Sequence, residues 1–443
     1  MLEDLSIFDI LLTPLFALVA ISYAHWITLK NIHKNPEYFY FTKGLIARLF
    51  GAVVLGLVYY FYYGAGDTTN YFESASAFAN LIYKSPSDFW TALFGNPKGL
   101  LFLFDDSTGY PVYNGRDSSA YFVVRLLIPI IMLGCHSYFA SAILVACITY
   151  GGIWKLYQTF LQEFPNLKME MAIAALFVPS CLFWGSGLMK DSFTLSAVGW
   201  FTYAFYYFFI KRERKISYIL FLIIASFIIL AIKPYIFFAL LPGVILWLSN
   251  NYVKKIKNPF LRFISTPLII ATGALLGYMA LDAIGDNLGQ YKIDNILEKA
   301  VVTQQDMKAD HYGGKAFDIG NFDASISGIL TVAPMAVFSG IYRPTLFDVR
   351  NVGMLISAIE STYLLLLTVF LLYKLKVLGF FFLIRKNPMI LFCMLFSLFF
   401  AFSVGLTVAN FGSLVRLRIP ELPFFVGGIF MLKHLYDKRV PYK

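Results

Sequence analysis

The feature that most constrains this chain is a series of long apolar runs separated by short clusters of basic residues. A helix needs roughly 20 residues to cross the hydrocarbon core of a bilayer, and most of the runs approach that length. Hydrophobic residues make up 59% of the 443 residues and charged residues only 14%, against about 45–50% and about 25% in soluble domains. These observations exclude a soluble enzyme, a disordered chain and a disulfide-stabilised scaffold, and they predict an all-α, polytopic transmembrane helix bundle.

The apolar runs predict about eleven spanning helices in a single integral membrane domain, residues 1–443. The predicted spans are 6–27, 44–63, 137–158, 169–187, 191–210, 217–232, 235–249, 263–283, 352–373, 388–407 and 420–432. Two further apolar stretches stay open. Segment 121–134 is short and carries Arg125, and segment 324–342 is interrupted by Ser, Gly and Pro, so each could be a span, a re-entrant segment or an interfacial helix.

The basic clusters between the runs set the predicted orientation, because short loops rich in Lys and Arg stay in the cytoplasm. All of the clusters lie on that side if neither open segment spans. The N-terminus is then outside, the C-terminus is cytoplasmic, and two long outer loops cover about 64–136 and 284–351, with interfacial or re-entrant segments inside them. The net charge of +10 is spread over these clusters rather than gathered on one face, so we predict a lipid bilayer and no nucleic acid as partner.

Several charged residues stand at the predicted outer ends of helices, where charge is costly and is usually functional or paired. Asp67 follows Gly66 directly after the second apolar run and is either a helix cap or a general base at the membrane surface. Lys190 and Asp191 lie in a predicted outer turn; a cap would explain Asp191 but not Lys190. Lys233 interrupts an apolar run and is either a snorkelling side chain or a phosphate ligand.

The C-terminal half adds more cations of this kind. Arg343 follows the open segment 324–342, and Glu360 inside the next helix needs a partner, for which Arg343 or Arg350 is the natural candidate. Arg416 and Arg418 alternate with apolar residues at the outer entry to the last helix. Arginine binds phosphate through two parallel hydrogen bonds, so these two suit a phosphate, unless they pair with Glu421 instead.

Other polar groups carry a weaker signal. Asp105, Asp106 and Asp117 are either sugar ligands or solvated loop charges, and the second interpretation is favoured. His136 and His311 lack the spacing of metal ligands, so no metal site is predicted, although a divalent metal stays open as a cofactor.

Together, a carboxylate at the membrane surface, a second carboxylate beside Lys190 and several cations suit a substrate with a phosphate head and a lipid tail. The cations would stabilise the charge on a leaving phosphate, and a carboxylate would accept the proton of an attacking hydroxyl. This chemistry is the transfer of a sugar from a polyprenyl phosphate, with inversion at the anomeric carbon.

The same residues resemble the GT-C membrane glycosyltransferases. In that family an Asp follows an early helix at the start of the first large outer loop, and Gly66-Asp67 with Tyr71 matches that position. A second acidic residue commonly opens a later outer turn, which Lys190-Asp191 matches. The resemblance implies Asp67 and Asp191 as catalytic residues.

The resemblance also implies phosphate contacts from basic residues near the outer loops, for which the candidates are Lys190, Lys233, Arg343, Arg416 and Arg418. The segment Arg416-x-Arg418-x-Pro420-x-x-Pro423 resembles the Arg-Tyr-x-x-Pro type of ending in such proteins and in polysaccharide polymerases. The implied protein builds cell-envelope glycan at the bacterial inner membrane, on a glycan, lipid or protein acceptor.

Two alternatives remain. A polymerase or ligase of lipid-linked polysaccharides would share the helices, the loops and the outer arginines. A transporter or flippase would place charges along a path to both faces and would show internal repeats, neither of which the sequence contains.

Overall fold

A computed structural model of the chain describes residues 7–95, 99–113, 117–253, 317–320, 322–323, 325–350 and 352–438, together with isolated residues between 256 and 306. These residues form helices and their connections, without a β-strand among them. The all-α prediction is therefore confirmed for the described part of the chain.

We number the main α-helices in chain order. They are α1 (Ile7–Asn31), α2 (Phe41–Leu57), α3 (Asp67–Lys84), α4 (Pro86–Phe94), α5 (Ser118–Leu133), α6 (Tyr138–Glu163), α7 (Lys168–Leu176), α8 (Pro179–Trp184), α9 (Lys190–Phe205), α10 (Ile216–Ile232), α11 (Pro234–Val253), α12 (Ile326–Tyr342), α13 (Val352–Lys386), α14 (Pro388–Thr407), α15 (Phe411–Leu417) and α16 (Leu422–Asp437).

Six helical segments in the described residues are long and apolar enough to cross a bilayer, which makes the chain an integral membrane protein. They are Asp9–Asn31, Pro36–Tyr62, Tyr138–Glu163, Lys190–Ile210, Gly353–Lys386 and Pro388–Thr407. Four shorter apolar helices lie over Ser118–Leu133, Ile216–Ile232, Pro234–Ser249 and Ser327–Tyr342. The count of about eleven spans stays a prediction, and the predicted span 263–283 lies outside the described residues except at isolated positions.

Two predicted spans have different bounds in the structure. The run 169–187 forms two helices and not one: α7 ends at Leu176 and α8 begins at Pro179. Proline has no backbone N–H, so it cannot donate the hydrogen bond that would continue α7. The predicted span 352–373 continues as α13 to Lys386, with a kink where Lys376 has φ 56°. The segment 374–387, between the predicted spans 352–373 and 388–407, is therefore mostly helical and not a loop.

Both open segments form continuous helices. Segment 121–134 lies in α5, where the Arg125 guanidinium is 4.5 Å from the centre of the Tyr121 ring. Segment 324–342 contains α12, which begins at Ile326 and whose Gly and Ser residues permit close packing and so do not interrupt it. The first predicted outer loop, 64–136, likewise contains α3, α4 and α5, so most of it is helix and not loop.

The chain divides into two compact units. The first consists of Met1–Thr159, Ala175–Phe177 and Cys181–Pro234, and the second of Phe160–Ala174, Val178–Ser180 and Tyr235–Lys443. In the first unit, α9 packs on α10 and α3 packs on α5. Gly152 of α6 and Gly199 of α9 let these two helices touch through their backbones, since a Cβ at Gly199 would lie 2.1 Å from the Gly152 carbonyl oxygen.

In the second unit, α14 is central and packs against α12 and α16. Glycines again mark the closest approach of helices. A Cβ at Gly340 would lie 2.3 Å from the Ala401 carbonyl oxygen, and one at Gly405 would lie 2.0 Å from the Ala336 carbonyl oxygen. Two small residues, one on each helix, thus hold α12 and α14 in backbone contact.

Gly405→Ala is expected to destabilise the protein by about 1–3 kcal/mol, because the added methyl group must push α14 away from α12. Gly379→Ala in α13 is the matched control, since its Cβ would meet only Leu375 at 3.8 Å. That control should be neutral or slightly stabilising. Melting temperatures in detergent micelles compare the two, and equal values would contradict the backbone contact.

Candidate functional site

Asp67 occupies the first turn of α3. The preceding Gly66 is the N-cap residue, and its N–H donates to the Thr69 hydroxyl at 2.9 Å. Gly66 has φ 149° and packs against the Tyr59 ring, so a side chain would fit neither the backbone nor the space. The N-cap position, one of the two sequence interpretations of Asp67, thus belongs to Gly66.

The Asp67 carboxylate is partly exposed and accepts a hydrogen bond from the Tyr113 hydroxyl at 3.1 Å. Tyr113 is itself fixed on α3, because its N–H donates to the Ser74 hydroxyl at 3.1 Å and its ring lies 4.7 Å from the Tyr71 ring. Tyr113 could not be predicted as a site residue, since nothing local distinguishes it from the many other tyrosines of the chain.

Lys190 begins α9 and points to the start of α5. Its Nζ donates to the Asp117 carboxylate at 2.6 Å and to the Ser119 hydroxyl at 2.7 Å. Asp117 also caps α5, accepting from the backbone N–H groups of Ser119 and Ala120. Partial burial raises the pKa of Asp117, but the hydrogen bonds from Lys190 and Ser119 outweigh it, so that the pKa is lowered overall. Asp117 is therefore a partly solvated carboxylate that is also the ion-pair partner of Lys190.

Asp191, the residue after Lys190, pairs with a different helix. Its carboxylate forms an ion pair with Lys233, at the junction of α10 and α11, and both side chains are buried. Lys233 ends α10 because Pro234 follows it, and the break places the ammonium group against α9. In the first turn of α9, Lys190 thus connects the helix to the start of α5, and Asp191 connects it to the end of α10.

Asp67 and Lys190 share neighbours in the first unit. The Tyr59 ring packs against Gly66, directly before Asp67, and belongs to one apolar cluster with Met189, directly before Lys190. Tyr113 contacts Asp67, and Asp117 contacts Lys190. We call these side chains the first-unit site; its members are Asp67, Tyr113, Asp117, Lys190, Asp191 and Lys233.

Arg418 belongs to a buried network in the second unit and has no exposed surface. One terminal nitrogen donates to the carbonyl oxygens of Ile341 at 3.0 Å and Arg343 at 2.7 Å. The other donates to the Ser361 hydroxyl at 2.8 Å and to the Glu360 carboxylate at 3.5 Å. We call this the Arg418 network. Glu360 thus pairs with Arg418, and not with either arginine that the sequence suggested.

The Glu421 carboxylate forms no hydrogen bond with the arginines. It is fully buried, and neither carboxylate oxygen has a hydrogen-bond partner among the described residues. Arg343 lies at the surface of the second unit, 4.0 Å from Asp348 and with 25% of its side chain exposed. Arg416 is partly buried in the last turn of α15. Of the three sequence candidates in this unit, Arg343 and Arg416 are accessible and Arg418 is enclosed.

Asp105 pairs with Lys84, and it also accepts hydrogen bonds from Ser107. Its pKa is held well below its usual range, first by Lys84 and then by Ser107. These contacts make Asp105 a residue that closes a turn on α3. Among the described residues, no three His, Cys, Asp or Glu side chains are placed to hold a metal ion together.

Arg48, which is not among the residues predicted above, is a buried cation inside α2. Its guanidinium donates to the Gly185 carbonyl oxygen and, at 3.0 Å, to the Thr149 hydroxyl. The arginine therefore ties α2 to α6 and to the turn that leads into α9. An Arg in the middle of an apolar run was the signal that could have found it.

No protein-family model, curated protein or solved structure matches this chain. The functional conclusion therefore rests on the geometry of the side chains.

Proposed function

We propose that this chain is a membrane glycosyltransferase. It moves a sugar from a polyprenyl-phosphate donor to an acceptor on the outer face of the bacterial inner membrane, with the N-terminus outside and the C-terminus in the cytoplasm. The observation that carries the proposal is the shared surroundings of Asp67 and Lys190, which bring an accessible carboxylate and a partly exposed ammonium group into one region of the first unit.

Asp67 is the general base in this proposal. The acceptor hydroxyl attacks the anomeric carbon of the sugar and gives its proton to the Asp67 carboxylate, while the bond from that carbon to the phosphate oxygen breaks. The phosphate leaves with the bonding electrons, so negative charge develops on it. Attack from the side opposite the phosphate inverts the anomeric centre.

Tyr113 positions the base, because its hydroxyl hydrogen-bonds to Asp67 and its own placement is fixed by Ser74 and Tyr71. Of the two lysines in the first-unit site, Lys190 is the one that a phosphate can reach, since 16% of its side chain is exposed, whereas Lys233 is enclosed with Asp191. The Asp191–Lys233 pair holds the first turn of α9 and thereby places Lys190.

The arginines of the second unit divide by accessibility. Arg343 and Arg416 are partly exposed, so each stays a candidate phosphate ligand on the second unit itself. Arg418 donates four hydrogen bonds inside the protein, so its role in the proposal is to position the end of α12, which leads into Arg343.

Asp67→Asn is expected to lower the transfer rate roughly 100-fold or more, because an amide cannot accept the proton. The variant keeps the shape of the side chain and leaves the Gly66 cap intact, so its melting temperature should be unchanged. The assay follows sugar transfer from a panel of polyprenyl-phosphate sugars in proteoliposomes. Asp105→Asn is the matched control, since it neutralises another carboxylate of the same predicted outer segment and should retain full activity.

Near-normal transfer by Asp67→Asn would remove Asp67 as the base. Tyr113→Phe gives a graded check: it deletes one hydrogen bond to the carboxylate and should cost less activity than Asp67→Asn. A wild-type protein that transfers no sugar from any donor of the panel, while binding a flipped lipid-linked glycan, would favour the transporter alternative.

A further inference from the structure

A cavity of about 300 Å³ opens where the ends of three helices of the second unit meet. Its walls come from the last turn of α13, the start of α14 and the end of α16. The lining residues are Leu383, Lys386, Asn387, Leu435 and Lys438. The first-unit site and the Arg418 network contribute none of them, so this cavity is a separate feature of the protein.

Two ammonium groups define the charge of the cavity. Lys386 and Lys438 are both exposed, and neither forms an ion pair with a carboxylate in the described part of the chain. Asp437, the acid next to Lys438, is occupied by Lys433 at 2.8 Å. An anionic group is therefore the ligand that this charge favours.

The remaining wall is apolar and continues into a lipid-facing surface. Leu383 is buried at the base of the cavity, while Leu378 and Phe382 on the same part of α13 are 86% and 60% exposed. In a membrane helix such exposed apolar side chains contact acyl chains. The cavity thus combines two cations with a path along which a hydrocarbon tail can lie.

We propose that this cavity binds the phosphate group of an anionic phospholipid, with the two lysines on the phosphate and the acyl chains along α13. Basic pockets between membrane helices bind the head groups of anionic lipids through this chemistry. A volume of about 300 Å³ lies at the lower end of small-molecule sites and suits a head group rather than a whole lipid. The site is independent of the proposed glycosyl transfer.

The test measures, by native mass spectrometry of the full-length protein, how much phosphatidylglycerol stays bound after extraction from mixed vesicles with phosphatidylcholine. Each lysine beside an anionic lipid contributes roughly a fivefold gain in affinity, so Lys386→Ala with Lys438→Ala should lose about 25-fold. The matched control is Lys34→Ala with Lys374→Ala, which removes the same charge from exposed positions outside the cavity and should retain the lipid.

Two results would overturn the proposal. Equal retention of phosphatidylglycerol by the cavity variant and the control variant would show that the cavity does not select the lipid. Complete displacement of phosphatidylglycerol by excess inorganic phosphate would show that the site recognises a free anion and not a lipid. Matching melting temperatures of the two double variants establish that both fold, so either result is interpretable.

Discussion

Arg418→Met is expected to destabilise the protein by about 3–5 kcal/mol, because it removes the cation from a fully buried network. The substitution leaves the Glu360 carboxylate without its ion-pair partner and frees the carbonyl oxygens of Ile341 and Arg343. Arg418→Lys should recover only part of the loss, since one ammonium group cannot span the four acceptors that the planar guanidinium reaches. The measurement is the melting temperature in detergent, which should fall strongly, or the melting transition should be lost altogether.

Glu421→Gln is the matched control for this prediction. Glu421 is also an ionisable side chain that is fully buried, and it lies one turn after Arg418. Unlike Arg418, its carboxylate oxygens have no hydrogen-bond partner among the described residues. Its effect should stay below about 1 kcal/mol, since no hydrogen bond is lost. A double variant, Arg418→Met with Glu360→Gln, should recover stability relative to Arg418→Met alone. An unchanged melting temperature for Arg418→Met would contradict the Arg418 network.

The helices of this chain could largely be predicted from its sequence, because the length of an apolar run is a local property. The incorrect predictions of helix bounds also have local causes. Run 169–187 contains a break before Pro179 that a count of apolar residues does not detect, and the Ser and Gly residues of α12 resembled an interruption. In a membrane helix those small residues are packing positions, as the contact of Gly340 with Ala401 shows.

The pairing of charges could not be predicted, because it depends on contacts distant in sequence. Lys190 binds Asp117, 73 residues away, and Arg418 reaches Glu360, 58 residues away. The sequence could identify Asp191, Lys233 and Glu360 as charges that need partners, since apolar surroundings make an isolated charge costly. Which cation meets which carboxylate follows only from how the helices pack.

Lys233→Met is also expected to cost about 3–5 kcal/mol, because Asp191 would be left fully buried without its cation. Met preserves the apolar stem of the lysine, so the loss is of charge and not of packing. The matched control is Lys190→Met, whose partner Asp117 has 47% of its side chain exposed and can be solvated by water. That change should cost at most about 1 kcal/mol. Melting temperatures in the same detergent decide between the two.

A double variant then separates the structural role of the buried pair from its role in the reaction. Asp191→Asn with Lys233→Met removes both charges, so no lone charge is buried and most of the stability should return. If this stable variant recovers full transfer activity, the pair only holds α9 against the end of α10. We expect instead that the double variant is stable but transfers sugar slowly, because Asp191 lies beside Lys190. That result would mean that the pair contributes to the reaction by placing Lys190. Stability that fails to return would contradict a buried ion pair between these two residues.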